Sequence, residues 1–227
     1  MTTLIIGGNS GLGLELGKLL LQRNEHVYVT GRSVKDTPTG LTFVELNITH
    51  DLAKLKRDLS EMVLKLPAVD MLVYAAGFIE NGHISELSDD HLVQMVNVGM
   101  TAPAFLLQRI LQKQGNLAGF IAVTSTSQWR PRELEPMYTG VKAGLAMLAQ
   151  SVSLDPQVRK TLVVGPAGMN TNFFAGSDRE TSGFLSPELV AEQVLSLWDD
   201  AYTYRLARIL RAPVPEAERV QVIETRV

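Results

Sequence analysis

Cysteine is absent from the 227 residues. Its absence excludes disulfides and thiolate metal sites, and it fits a reducing compartment. Charge of one sign is not in excess: the net charge is −3 and the pI is near 5.8. No global basic field is therefore present to recruit nucleic acid or an anionic membrane. No apolar run approaches the roughly 20 residues that a membrane-spanning helix needs. The first residues lack the basic segment, apolar core and small-residue cleavage site of a secretion signal. The four histidines, at 26, 50, 83 and 91, show no ligand spacing, so no metal is expected. Repeats, low-complexity tracts and a domain-splitting linker are also missing. These absences leave the expectation of a soluble cytoplasmic chain. Its 45% apolar content suffices for one core and a single domain over residues 1–227.

Short β-rich runs alternate with longer helical patterns, which predicts a parallel sheet covered by helices on both faces. Strands are expected near 3–6, 26–31, 41–46, 70–75, 118–124 and 160–164, with a last one at 220–226. Helices are expected near 11–23, 51–65, 88–113, 138–153 and 187–200. Leu12, Leu16, Leu19 and Leu20 recur at helical spacing and give the first helix an apolar stripe. Residues 172–186 are polar and rich in Gly and Ser, which predicts a mobile loop. Residues 201–219 fit neither pattern, and Pro213 and Pro215 break any long helix there.

Glycine is what the first strand runs into: Gly7-Gly8-Asn9-Ser10-Gly11-Leu12-Gly13 stands between an apolar run and a helical one. A strand, a glycine turn and a helix start together aim backbone N–H groups and a helix N-terminus at a phosphate. The spacing is not the GxGxxG fingerprint, because Leu16 fills the place of the last glycine. It is Gly7-xxx-Gly11-x-Gly13, which resembles the TGxxxGxG pattern of the short-chain dehydrogenase/reductase family, with Ile6 in place of the threonine. The resemblance implies a Rossmann-type doubly wound sheet of about seven parallel strands and a nicotinamide cofactor. The second strand ends Thr30-Gly31-Arg32-Ser33, where an NAD-preferring protein places an acid on the ribose. Gly31 offers no carboxylate and Arg32 can pair with a 2′-phosphate, so NADP(H) is expected over NAD(H).

Tyr138-Thr-Gly-Val-Lys142 opens a predicted helix, and positions i and i+4 share one face. Ser125 stands 13 positions earlier at the end of the strand FIAVTS, and Asn97 lies within the helix MVNVGMTAPAFLLQ. In order and placement these residues match the family's Ser, Tyr, Lys and Asn tetrad. The resemblance implies that Tyr138 is the acid–base group, and that Ser125 orients the carbonyl. Lys142 would lower the phenol's pKa and hold the ribose, and Asn97 would hold a water. Thr124, Thr126 and Ser127 flank Ser125 and compete for its role. Downstream, Pro166, Gly168, Met169 and Thr171 resemble the family's segment at the nicotinamide.

The resemblance spans about residues 2–200 and has departures. The family's NNAG is Tyr74-Ala75-Ala76-Gly77 here, and the acidic residue after the third strand is Asn47, followed by Ile48. Ala75, Ala76 and Gly77 still permit close approach of the adenosine, and Asn47 can still meet the adenine. Ala167 replaces a glycine. The reaction implied is hydride exchange with a small carbonyl or secondary alcohol. A competing reading is a cofactor-binding sensor without useful turnover, motivated by the altered NNAG. A sugar-nucleotide epimerase is disfavoured by the short chain after the sixth strand. Ala143, Gly144, Ala146 and Ala149 suit close helix packing, either in a homodimer or homotetramer or against the chain's own sheet. Trp129, Arg130 and Arg132 stand beside the expected substrate cleft, or on a solvated loop. Phe173, Phe174 and Phe184 stand either in a closing lid or as anchors of that loop.

Overall fold

A computed structural model describes residues 1–33, 37–174 and 180–227. Within them the chain alternates strand and helix: β1 (Thr2–Ile6), α1 (Gly11–Gln22), β2 (His26–Gly31), β3 (Leu41–Glu45), α2 (Leu52–Lys65) and β4 (Met71–Tyr74). Then follow α3 (Asp89–Val96), α4 (Ala102–Gln114), β5 (Gly119–Val123), α5 (Pro136–Val152), β6 (Thr161–Pro166) and α6 (Pro187–Asp199). The chain finishes with β7 (Tyr204–Ile209) and β8 (Val220–Arg226). No helix among the described residues is long and apolar enough to cross a membrane.

All eight strands join one sheet in the order β3-β2-β1-β4-β5-β6-β7-β8. The first seven run parallel, and β8 pairs antiparallel with β7 at the edge. The sheet is thus the expected doubly wound one with a strand more, because residues 201–219 contain β7. That strand reads YRLARI, and its cations hide its pattern. Arg205 is buried, donating to Asp200 and lying 4.4 Å over the Tyr202 ring. Arg208 donates to Gln221 of β8 at 2.8 Å. With Arg205 paired to Asp200 and Arg208 hydrogen-bonded to Gln221, β7 takes a sheet position that its composition alone disfavours.

Strand residues alternate between two cores, as the period of two requires. Leu4, Ile6, Leu72, Tyr74, Phe120 and Ala122 face α2, α4 and α5. Ile5, Met71, Val73, Ile121, Val123 and Val164 face α1 and α6. The stripe of α1 works as read: Leu12, Leu16 and Leu20 are buried there, with Leu19 partly buried against them. Side chains cap three helices, with Asp51 on Lys54 N–H, Ser88 on His91 N–H and Ser186 on Leu189 N–H.

The helix expected over 88–113 is broken. A π turn over Asn97–Thr101 separates α3 from α4, and the Ala102 N–H reaches back to the Asn97 carbonyl. Pro103 is the cause, since it has no N–H and cannot continue the regular ladder. The Val98 carbonyl is left without either helical partner, and the Tyr74 hydroxyl of β4 donates to it at 2.5 Å. Of the small residues of α5, Gly144, Ala146 and Ala149 pack against the chain's own elements. Ala149 is fully buried in the core, and a Cβ on Gly144 would stand 2.7 Å from the Met100 sulfur.

Candidate active site

Parallel strands deliver their following loops to one edge of a sheet, and a crevice opens where the chain order reverses. Here β1 lies between β2 and β4, and a cavity of about 1250 Å³ runs along the carboxyl edge. It gathers the turn after β1, the ends of β2 and β3, Ala75–Gly77 after β4, Thr124–Ser127 after β5 and Pro166–Thr171 after β6.

At one end stands the glycine turn. Gly7 has φ +79°, and a Cβ there would lie 2.8 Å from the Ala76 backbone, so the turn after β1 touches the turn after β4. On Gly13 a Cβ would meet the Gly7 carbonyl at 2.3 Å, so the helix start folds directly onto the turn. The Gly7 N–H donates to the buried Thr30 hydroxyl at 3.1 Å, and Asn9 Nδ2 donates to the Ser33 carbonyl at 3.1 Å. These bonds lock the glycine turn to the end of β2 and set the exposed Arg32 on the cavity wall. Ser10 precedes α1 in an extended conformation and makes no side-chain cap. The first-turn N–H groups of α1 are therefore left for a ligand, and Gly11, Leu12 and Gly13 face the cavity. A dinucleotide phosphate fits this cradle.

Further along, Ser125, Tyr138 and Lys142 line the same cavity. Thr124 belongs to the sheet, since its hydroxyl and its N–H both bond the Val164 carbonyl. Ser125 is the first residue released from it. Its Oγ accepts from the Ser127 N–H at 3.1 Å, so its own proton remains to be donated. Thr126 and Ser127 line the cavity as well. Lys142 reaches in from α5 and is only 5% exposed. Its Nζ donates to the Val123 carbonyl at 3.0 Å and lies 5.8 Å from the Tyr138 ring centroid. Burial pushes its ammonium down to about 8. Gly77 faces it, where a Cβ would approach Nζ to 3.3 Å.

Two expected residues stand elsewhere. Asn47 is exposed and does not line the cavity, although its neighbours Leu46 and Ile48 do. The side chain after a strand alternates outward there. Asn97 is 4% exposed and also lies off the wall. Both its amide protons are engaged, on the Thr49 carbonyl at 3.0 Å and the His50 carbonyl at 3.1 Å. With Gln94, which donates to the Ile48 carbonyl at 3.3 Å, it anchors the loop behind Ile48.

The cavity also holds residues that the sequence did not single out. Arg211 follows β7 in the stretch that fitted no pattern, and Glu135 stands buried just before α5. No motif marks either one; only the placement of β7 and α5 at the same edge could reveal them. Arg132 lines the cavity, whereas Trp129 packs on Gly165 and Arg130 is exposed off the wall. Phe173, Phe174 and Phe184 line it in edge contact with one another. The loop expected over 172–186 is described at 172–174 and 180–186, where part is a 3-10 turn at Asn172–Phe174; residues 175–179 lie outside the described residues.

Comparison with known proteins agrees with this geometry. The family model described as short chain dehydrogenase matches residues 1–181. The chain is 25% identical to the short chain dehydrogenase helC of Aspergillus fumigatus, over 89% of this chain and 92% of that one. Among solved structures, a short-chain dehydrogenase from Sphingobium yanoikuyae in complex with NADPH superposes with a TM-score of 0.79 at 16% identity, covering 96% of this chain and 90% of that one. A 4-hydroxyisoleucine dehydrogenase complexed with NADH superposes at 0.76 and 18% identity, covering 92% of this chain and 96% of that one. The structural likenesses carry the fold.

Proposed function

We propose that this chain, which belongs to the short-chain dehydrogenase family, is an NADP(H)-dependent oxidoreductase of the cytoplasm acting as a single domain on a small carbonyl or secondary alcohol. The observation that carries the reading is the buried Lys142 ammonium beside the Tyr138 ring, in one cavity with Ser125 and the glycine cradle. The Gly7–Gly13 turn and the start of α1 would hold the cofactor's phosphates. Ala75–Gly77 and Ile48 would border its adenosine, and Pro166, Gly168, Met169 and Thr171 its nicotinamide. The bound nicotinamide supplies or accepts the hydride.

The chain's own residues handle the proton. Tyr138 Oη gives a proton to the carbonyl oxygen in reduction and takes it from the alcohol in oxidation. A free phenol has a pKa of about 10, and the cation of Lys142 beside it favours the ionised form. Ser125 donates its remaining proton to the same oxygen and fixes its direction. The Asn97 side chain acts at a distance, by holding the loop behind Ile48.

Arg32 on the cavity wall supports NADP(H) over NAD(H), since a guanidinium pairs with a 2′-phosphate. The relatives bind both forms, with NADPH in one solved structure and NADH in another. A homodimer or homotetramer belongs to this reading: Met147 on α5 and Val93 and Val96 on α3 are exposed apolar residues on the described surface. Light scattering at 25 kDa in solution would reject that part.

The test is separate titration of NADPH and NADH into the protein, with Arg32→Ala alongside and a panel of ketones as substrates. Preference for NADPH of about tenfold or more, lost in Arg32→Ala, is expected, together with turnover that Tyr138→Phe abolishes. Binding without turnover of any ketone would favour the sensor instead. Failure to bind either nucleotide would end the proposal.

A further inference from the structure

We propose that the substrate carries an anionic group on a flat apolar body, and that Arg211, with Arg132 lining the same cavity, receives that anion. The inference rests on the hydride-transfer reading above and adds the substrate's chemical class.

A row of rings runs from Tyr138 to Phe184, beside the segment proposed to border the nicotinamide. The Phe173 ring lies 5.8 Å from the Tyr138 ring, Phe174 lies 5.1 Å from Phe173, and Phe184 lies 5.2 Å from Phe174. The Arg211 guanidinium covers the far side of the row, 4.4 Å from the Phe184 centroid. The row is held at the nicotinamide segment, because a Cβ on Gly168 would meet the Phe184 ring at 2.7 Å. Arg211 is carried there by β7, whose end is paired to the same segment through the Ala167 N–H and the Ile209 carbonyl at 2.8 Å.

The charges near Arg211 leave it available. Among the described residues neither Arg211 nor Arg132 forms an ion pair. Among the described residues two carboxylates line the cavity. Glu180 is engaged by the Ser182 N–H at 3.0 Å, which holds its carboxyl below the usual range, and the buried Glu135 has a partner already. A guanidinium fixed by stacking keeps its edge N–H groups for an oxyanion and matches a carboxylate with two parallel bonds. The aromatic row gives the rest of the ligand a surface on which to stack. The cofactor's phosphates belong to the glycine cradle at the other end, so the anion received here is the substrate's own.

The experiment uses protein saturated with NADP+ and measures by calorimetry the binding of aryl carboxylates of increasing length. Each acid is compared with its uncharged methyl ester, in wild type, Arg211→Ala, Arg211→Lys and Arg132→Ala. At least one acid should bind about tenfold or more tightly than its ester, a difference that salt weakens. The difference should collapse in Arg211→Ala, survive in part in Arg211→Lys and shrink in Arg132→Ala. Equal binding of every acid and ester in wild type would overturn the proposal. So would an equal loss of acid and ester in Arg211→Ala, or a fall in NADPH affinity in that variant, which would assign Arg211 to the cofactor. The readout is binding, so failure to turn over any ketone would sink the hydride-transfer reading and leave this comparison standing by itself.

Discussion

The Tyr74 phenol donates to the Val98 carbonyl at 2.5 Å, across the junction between the central sheet and the broken helix. Both groups are buried, and burial raises the phenol's pKa, so it remains a donor at every working pH. The bond answers a need that Pro103 creates. With no N–H at 103, and the Ala102 N–H engaged by Asn97, the Val98 carbonyl has no helical partner. In the family that this chain resembles an asparagine stands at the place of Tyr74. A tyrosine here therefore does more than fill volume.

Tyr74→Phe should destabilise the fold by about 1–3 kcal/mol, the cost of a buried carbonyl left without its donor. Urea denaturation would measure the loss, with the m-value unchanged because the exposed area is the same. Stability equal to wild type would show that the π turn is held by its packing alone.

Lys142→Met should make the protein more stable near neutral pH while abolishing turnover. The folded-state pKa of Lys142 is pushed down to about 8 from 10.5 by burial. Below about 8 both folded and unfolded chains hold the proton, and the whole cost of burying the charge is present. Between 8 and 10.5 the folded chain sheds the proton first, and the cost fades. The stability gap between Lys142→Met and wild type should therefore be widest below pH 8, on the order of 1–3 kcal/mol, and close as pH approaches 10.5. A gap independent of pH would mean that Lys142 carries no charge penalty.

Gly13→Ala should weaken NADPH binding by more than tenfold, which is at least about 1.4 kcal/mol. The added methyl would stand 2.3 Å from the Gly7 carbonyl, so the start of α1 and the turn after β1 must part. Gly17→Ala lies one turn further along α1, where a Cβ would have ordinary contacts at 3.5 Å or more, and serves as the comparison. Equal binding by the two variants would show that the cradle tolerates displacement.

Most of the frame was legible because it rests on local signals. The alternation of strands, the glycine turn and the Tyr138 and Lys142 spacing each depend on residues within a few positions of one another. Three features were hidden for physical reasons. β7 carries Arg205 and Arg208, which meet their partners Asp200, Tyr202 and Gln221 only after folding. The break at Asn97 follows from Pro103, six residues downstream and inside an otherwise continuous helical pattern. Arg211 reaches the cavity only because β7 lies beside β6, which no local spacing reports.

Asn97→Asp should impair the cofactor more than Asn97→Ala does. The amide donates both its protons, to the Thr49 and His50 carbonyls at 3.0 and 3.1 Å. Alanine removes the donors and leaves two carbonyls to find water. Aspartate keeps the size but sets a carboxylate oxygen against two carbonyl oxygens, a repulsion in a site only 4% exposed. The loop that bears Ile48 should be pushed away from the cavity, so the KM for NADPH should rise in both variants and further in Asp. A residue that served only a proton-carrying water would lower kcat, leave the cofactor's KM in place and show no order between Ala and Asp. The order of the two variants in KM thus decides whether Asn97 acts through the loop or through the proton.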